Sequence, residues 1–244
     1  MALPFREKLT MLMPPSLFYE RRILREIVSG EPELGLLAEF VRPAAVAIDG
    51  GANLGFFAYA LSKLVRRVVA FEPNPDYARF ARWMLRGRAE VHEMALSDKR
   101  ERARFYVPLA DDGMALHFAG NLKRTHNQFK NVRTYDVEVC TLDDFAFEDV
   151  CFIKADVEGN EREVLDGARA TIARTRPVLL LELLSGTHDD PASYTAAICE
   201  DFGYDAFIVR KGEKLPALPA IESLGANTSW GTSIETRNVL FTPR

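Results

Sequence analysis

From residue 44 onward, short apolar runs alternate with amphipathic stretches, a pattern that predicts strands separated by helices. Ala44 to Ile48 is an apolar run ending in Asp49 and a glycine turn. Gly55 to Val65 reads as a helix and Arg67 to Phe71 as a second strand, followed by a helix over Asp76 to Leu85 and a strand over Ala89 to Glu93. Val150 to Ala155 and Pro177 to Leu183 are strongly apolar strands. Tyr194 to Phe202 has helical character, and Tyr204 to Val209 and Asn238 to Phe241 read as closing strands. Near-continuous apolar strands with helices between them imply a mostly parallel sheet covered on both faces, the doubly wound α/β class.

Ahead of this alternation, Leu17, Ile23, Leu24, Ile27, Leu36, Leu37 and Phe40 fall at helical spacing, interrupted near Gly30-Glu31-Pro32. The chain thus divides into an N-terminal helical extension over residues 1–43, which can serve as a lid, and a main domain over residues 44–244. Two strand-like runs, Ala103 to Val107 and Tyr135 to Cys140, fit the alternation poorly. Between them, His117 to Thr134 carries Lys123, Arg124, Lys130 and Arg133 and few aliphatic residues. A loop of that length is either a solvated insertion or faces a substrate, and its basic residues hint at an anionic or sugar-like one.

Composition narrows the classes without choosing one. With 48% apolar and 27% charged residues, the 244-residue chain is of ordinary globular make-up and long enough for a sizeable core. A net charge of −4 gives no reason to expect a nucleic-acid partner. Cys140, Cys151 and Cys199 lack metal-ligand spacing and read as buried thiols in a reducing compartment. The start of the chain is charged early and broken by Pro14 and Pro15, unlike a secretory leader, and no run reaches the roughly 18 apolar residues of a membrane span. The expectation is a cytoplasmic protein, in which the glycosylation-type match Asn227-Thr228-Ser229 has no meaning.

The sharpest chemical feature is Asp49-Gly50-Gly51-Ala52-Asn53-Leu54-Gly55, between the first strand and its helix. Glycine there lets the backbone turn and approach a ligand, at the point where a doubly wound sheet opens a crevice. The dinucleotide fingerprint G-x-G-x-x-G fails, because Asn53 and Phe56 stand where its second and third glycines belong if Gly51 is the first. An acidic residue opening the turn suits an amino-acid-bearing nucleoside better, with Asp49 near its cationic end. Glu72, closing the second strand, is placed to accept hydrogen bonds from both ribose hydroxyls. Nicotinamide sites use the same device, so an oxidoreductase stays in competition at this point. Asn74 and Pro75 shape the turn into the next helix. Met94, at the end of the third strand, is a packing surface for a purine or plain core, and Ser97 or Asp98 can cap a turn or touch the purine edge.

The fourth main strand delivers Lys154-Ala155-Asp156-Val157-Glu158-Gly159-Asn160-Glu161. Period-two alternation puts Lys154 and Asp156 on one face, with Glu158 near them if the extended geometry continues. Asp156 can orient an acceptor hydroxyl or take its proton, or it can simply pair with Lys154. Glu182 ends the next strand, and His188 follows six residues later as a further candidate base or a plain loop residue. His92, His117 and His126 have no comparable placement.

Taken together, IDGGANLGFFAYALSKL, VVAFEPNPD, MALSD, CTLDDF, FIKADVEGNEREVLDGA and RPVLLLE resemble the FkbM-type methyltransferases over roughly residues 45 to 184. The closing NVLF is similar as well. The resemblance implies a class I, Rossmann-like fold dependent on S-adenosylmethionine (SAM). Its sheet would have seven strands, mostly parallel, with a C-terminal antiparallel strand. Also implied is O-methylation of a hydroxyl on a sugar, polyketide or other natural product. It places Asp49, Gly51 and Asn53 along the methionyl part, Glu72 at the ribose, and Asp156 with Glu158 at the transfer centre. Gly50 departs from the valine or isoleucine that is commoner there. The full cofactor-binding expectation is Asp49, Gly50, Gly51, Asn53, Gly55, Glu72, Pro73, Asn74, Met94, Ala95 and Asp156. Asp156, Glu158, Glu182 and Lys154 form the catalytic set. No metal is expected, although carboxylates near Asp156 leave magnesium conceivable. A SAM-binding module that has lost catalysis, or less readily a nicotinamide-dependent oxidoreductase, is the alternative.

Overall fold

A computed structural model describes residues 14–29, 31–109, 120–122, 131–183, 189–210, 212–223 and 237–244. His117, His126, His188, the glycosylation-type match and the basic residues Lys123, Arg124 and Lys130 lie outside the described residues.

The main sheet is built from β1 (Val46–Gly50), β2 (Arg67–Phe71), β3 (Glu90–His92), β7 (Val150–Ala155), β8 (Val178–Glu182), β9 (Tyr204–Arg210), β10 (Glu213–Pro216) and β11 (Asn238–Pro243). Its order is β10-β9-β11-β8-β7-β1-β2-β3. The strands from β8 to β3 pair in parallel, while β11 is antiparallel to both β8 and β9. The expected seven strands become eight, because β10 folds back against β9 as an edge hairpin. Glu213-Lys214-Leu215-Pro216 has neither apolar alternation nor β-branched residues, and charge plus proline is what an edge strand tolerates.

Alternation along the strands sends side chains to two cores. Ile48, Val69, Ile153, Leu179 and Phe241 enter one core with helices α5 (Glu161–Asp166), α6 (Arg169–Thr175), α7 (Pro191–Phe202) and α8 (Ala217–Ser223) around it. Ala47, Val68, Phe152, Leu180 and Leu240 face the other. That second core is covered by α1 (Pro15–Ser29), α2 (Leu37–Phe40), α3 (Phe56–Leu61) and α4 (Pro75–Met84). Tyr19, Leu37 and Phe40 are fully or almost fully buried there, so residues 15–40 are part of the second core's packing.

The two runs that disturbed the alternation pair with each other. β5 (Glu101–Pro108) and β6 (Val132–Cys140) form a long antiparallel ladder, and β4 (Ala95–Leu96) joins β6 in parallel to make a separate three-stranded sheet. The helix predicted over Gly55 to Val65 spans six residues: Gly55, left-handed at φ 84°, caps its start, and the chain leaves it in turns from Ser62. Helices α5 and α6 follow the fourth main strand and are not among the elements that the sequence pattern predicts.

Candidate active site

β1 and β2 lie side by side, so their C-terminal ends open into one crevice. After β1 the backbone turns through Gly51 (φ 74°), Asn53 (φ 52°) and Gly55 (φ 84°). A Cβ on Gly51 would lie 1.8 Å from the Asp156 carbonyl oxygen. Glycine is therefore required there by the approach of the loop after β7. The Gly51 and Ala52 N–H groups donate to Phe71 O at 2.9 and 3.0 Å, fixing the turn on β2. Tyr19, on α1, holds its far side by donating to Leu54 O at 2.8 Å.

Glu72 reaches back into this turn. Its Oε2 accepts from the Asn53 N–H at 2.6 Å and its Oε1 from the Asn74 N–H at 2.8 Å. Burial pushes its carboxyl up to about 7 against the pull of those two donors. Each oxygen keeps a second lone pair for a ligand hydroxyl. Asp49 is fully buried; its Oδ2 accepts from the Ala58 N–H at 2.9 Å, while Oδ1 has no hydrogen-bond partner among the described residues. An orphaned buried carboxylate oxygen in a cleft wall costs ~1–3 kcal/mol until a donor meets it.

β7 brings in the charged centre. Lys154 Nζ lies 2.9 Å from Asp156 Oδ2 and 4.7 Å from the centre of the Phe57 ring. The expected alternation holds, and the pairing with Lys154 coexists with a place in the cleft wall for both residues. Beyond Asp156 the chain kinks at Glu158 (φ 54°) and Gly159 (φ 92°). Glu161 stabilises the kink by accepting from the Val157 and Gly159 N–H groups at 3.1 and 3.2 Å. Asn160 Nδ2 donates to Leu96 O and Ser97 Oγ, tying the loop to the end of β4. The Asn and Glu of this segment are thus scaffold, and Glu158 is the side chain they present.

Glu182, closing β8, meets Arg237 Nη1 at 3.2 Å. The carboxylate oxygens of Asp156, Glu158 and Glu182 lie within 4.8 Å of one another. Burial raises Asp156, but the Lys154 charge, hydrogen bonds from Glu182 and Lys154, and Arg237 overcome it and hold the carboxyl at about 2. Burial, then the Asp156 and Glu161 charges, push Glu158 up to about 8. Burial and the Asp156 charge raise Glu182 as well. Lys154 stays cationic, because Asp156, Asp49 and Glu31 outweigh its burial. A divalent cation held by the three acids would share the Asp156 carboxylate with the Lys154 ammonium, which already takes Oδ2 at 2.9 Å. With a buried cation already paired there, the donor set fits a metal poorly.

These groups line one cleft of about 290 Å³. Asp49, Gly51, Asn53, Glu72, Pro73, Ala95, Lys154, Asp156, Glu158 and Glu182 are all in its wall. Four expected cofactor residues are not. Gly50 packs under Leu96 and the Lys154 carbonyl, where a Cβ would meet atoms at 3.1 and 3.2 Å. Gly55 faces Leu85 and Tyr19, and the Asn74 side chain caps α4 by accepting from the Asp76 N–H at 3.1 Å. Met94 packs against the first core. Ser97, bonded to Asn160, likewise serves the scaffold. Sequence reasoning missed Arg22, Glu26, Glu31, Phe105, Leu122 and Arg237, all in the wall. Tyr106 and Asn121 exchange backbone hydrogen bonds at 2.9 and 3.0 Å, which places residues 120–122 beside β5 and at the cleft.

Comparison with known proteins accords with this geometry. The family described as Methyltransferase FkbM domain matches residues 49–206. A curated protein, 2-O-methyltransferase NoeI of Sinorhizobium fredii, is 30% identical over 150 residues, covering 55% of this chain and 62% of that one. The crystal structure of methyltransferase FkbM from Methylobacillus flagellatus KT superposes with a TM-score of 0.56 at 17% identity, over 88% of this chain and 48% of that one. The chain therefore spans under two thirds of the relative and about half of the solved structure.

Proposed function

The chain belongs to the FkbM methyltransferase family, and from that premise we propose that it transfers a methyl group from SAM to a hydroxyl oxygen of a small acceptor molecule. The observation that carries this reading is a single cleft in which Glu72 and the turn after β1 stand at one side and the acids of β7 and β8 at the other. SAM bound there would supply a methyl group on a cationic sulfonium, activated for in-line attack. Asp49 Oδ1, without a hydrogen-bond partner among the described residues, suits the ammonium of the methionyl part, and Glu72 suits the ribose hydroxyls.

Glu158 is the best-placed base for the acceptor proton. Asp156 is held as a stable anion by Lys154 and is correspondingly weak as a base. Glu158 lines the same cleft with a carboxyl near 8, matched to proton removal around neutrality. The Asp156 charge helps to raise it, and the Lys154 charge opposes that rise. Among the described residues no helix is long and apolar enough to cross a membrane.

The test is transfer of labelled methyl from SAM to a panel of hydroxylated acceptors, with wild type and Glu158→Gln. The reading expects turnover by the wild type that rises with pH through about 8. It expects a ~100-fold or greater loss of kcat in the variant with S-adenosylhomocysteine (SAH) affinity retained. A variant within a few-fold of wild type would remove Glu158 from the role. SAH binding without turnover on any acceptor would favour a module that binds the cofactor and has lost catalysis.

A further inference from the structure

Several residues of the cleft wall come from outside the family-matched segment: Arg22 and Glu26 on α1, Glu31 and Leu34 after it, and Arg237 ahead of β11. Glu31 is the one of these with a buried hydrogen-bond acceptor left unpartnered among the described residues. Its Oε1 lies 3.6 Å from Arg237 Nη2, whereas its Oε2 is buried and has no hydrogen-bond partner among the described residues. The same guanidinium reaches Glu182 at 3.2 Å through Nη1. Glu31 is thus one ion pair removed from the acids assigned to methyl transfer, with an unused acceptor atom in the cleft wall. Leu34 and Phe56 supply apolar surface in that wall.

The lining of the wall limits what can fill it. Seven carboxyl side chains and three cationic ones line the cleft among the described residues. Carboxyl oxygens therefore outnumber cationic donors in the wall, and a neutral molecule rich in hydroxyl donors complements that lining whatever the charge on Glu72, Glu158 and Glu182. Of the anionic or sugar-like acceptor hinted at by the 117–134 loop, most of whose basic residues lie outside the described residues, this lining favours the sugar-like one.

Resting on the methyltransferase reading, we propose that Glu31 is the specificity-determining residue of the acceptor site. Its Oε2 accepts a hydrogen bond from a second hydroxyl of a neutral polyol, adjacent to the hydroxyl that receives the methyl group. Arg237 pairs with Oε1 of the Glu31 carboxyl and links it to Glu182. A site built to pair a ligand hydroxyl discriminates strongly against the analogue that lacks it, because the protein group is then left buried and unpaired.

The test is calorimetry on the full chain saturated with SAH, titrated with methyl gluco-, galacto- and mannopyranoside and with their monodeoxy counterparts. The wild type should bind at least one glycoside and lose about 10- to 100-fold in affinity when one particular hydroxyl is removed. In Glu31→Ala that discrimination should vanish with SAH affinity unchanged, and Glu31→Gln, which keeps an acceptor oxygen, should retain most of it. If the alanine variant does not fold, Glu31→Met fills the space without an acceptor oxygen and carries the comparison. Unchanged discrimination in these variants overturns the role of Glu31. SAH binding with no glycoside bound by the wild type overturns the polyol acceptor and leaves the methyltransferase reading intact. Failure of SAH itself to bind rejects that underlying reading.

Discussion

Replacing Lys154 by methionine removes the only lysine in the cleft wall among the described residues while keeping the stem's volume. Lys154 is 3% exposed and its ammonium lies 2.9 Å from Asp156. Holding the Asp156 carboxyl at about 2 instead of 3.8 corresponds to ~2 kcal/mol of favourable interaction in the folded state. Removing one partner of a buried pair also leaves the other uncompensated, for a total of ~3–5 kcal/mol. Asp156 retains 24% of its side-chain exposure, which places the loss near the lower end, ~3 kcal/mol. The pH dependence follows from the shifts. In the wild type the folded value of Asp156 lies below the unfolded one, so the pair's stabilisation is complete above 3.8 and lost as pH falls through about 2. In the variant, Asp156 joins Glu158 and Glu182, whose carboxyls are already raised. Groups raised in the folded state destabilise most above their folded values and least below their unfolded ones. Urea unfolding should therefore show a larger wild-type-to-variant difference at about pH 8 than at about pH 5, with m unchanged. A loss below ~1 kcal/mol, or one of equal size at both pH values, would refute the electrostatic account.

Two further substitutions probe the turn after β1. Gly51→Ala forces a left-handed alanine and a Cβ into the Asp156 carbonyl, so the turn and the β7 loop must separate. Thermal unfolding should report a loss of ~2–3 kcal/mol, and calorimetry no measurable SAH binding; normal affinity would show that the contact is dispensable. Tyr19→Phe removes the hydrogen bond to Leu54 O and should lower Tm by about 2–4 °C, for a loss of ~1 kcal/mol. It should also weaken SAH, since α1 braces the turn; unchanged affinity would separate the helix from the cofactor side.

The legible parts of the site are those fixed by strand ends. Asp49, Glu72, Asp156 and Glu182 each close an apolar run, and a parallel sheet brings the ends of its strands to one edge whatever the helices between them do. Gly50, Gly55, Asn74 and Met94 share those neighbourhoods in sequence, yet the local turn points them into packing or capping. A sequence gives the neighbourhood of a turn more readily than the direction of each side chain. Glu31 and Arg237 reach the cleft through contacts between distant segments, such as Asn238 donating to Glu33 at 3.3 Å across 205 positions. Phe105 and Leu122 reach it through the β5–β6 ladder. Neither arrangement leaves a periodic trace in the sequence. The shape of Glu31-Pro32 did mark a break between helices, and the structure shows that break at the cleft wall.

The central claim is that the cleft after β1 and β2 is a SAM site. Its most direct test is calorimetry of SAH and NAD against wild type and Glu72→Ala, with thermal unfolding as the control for folding. The account predicts micromolar SAH binding by the wild type, none of NAD, and at least about a 10-fold loss of SAH affinity in the folded variant, from the ribose hydrogen bonds. Binding of NAD with no binding of SAH would contradict it.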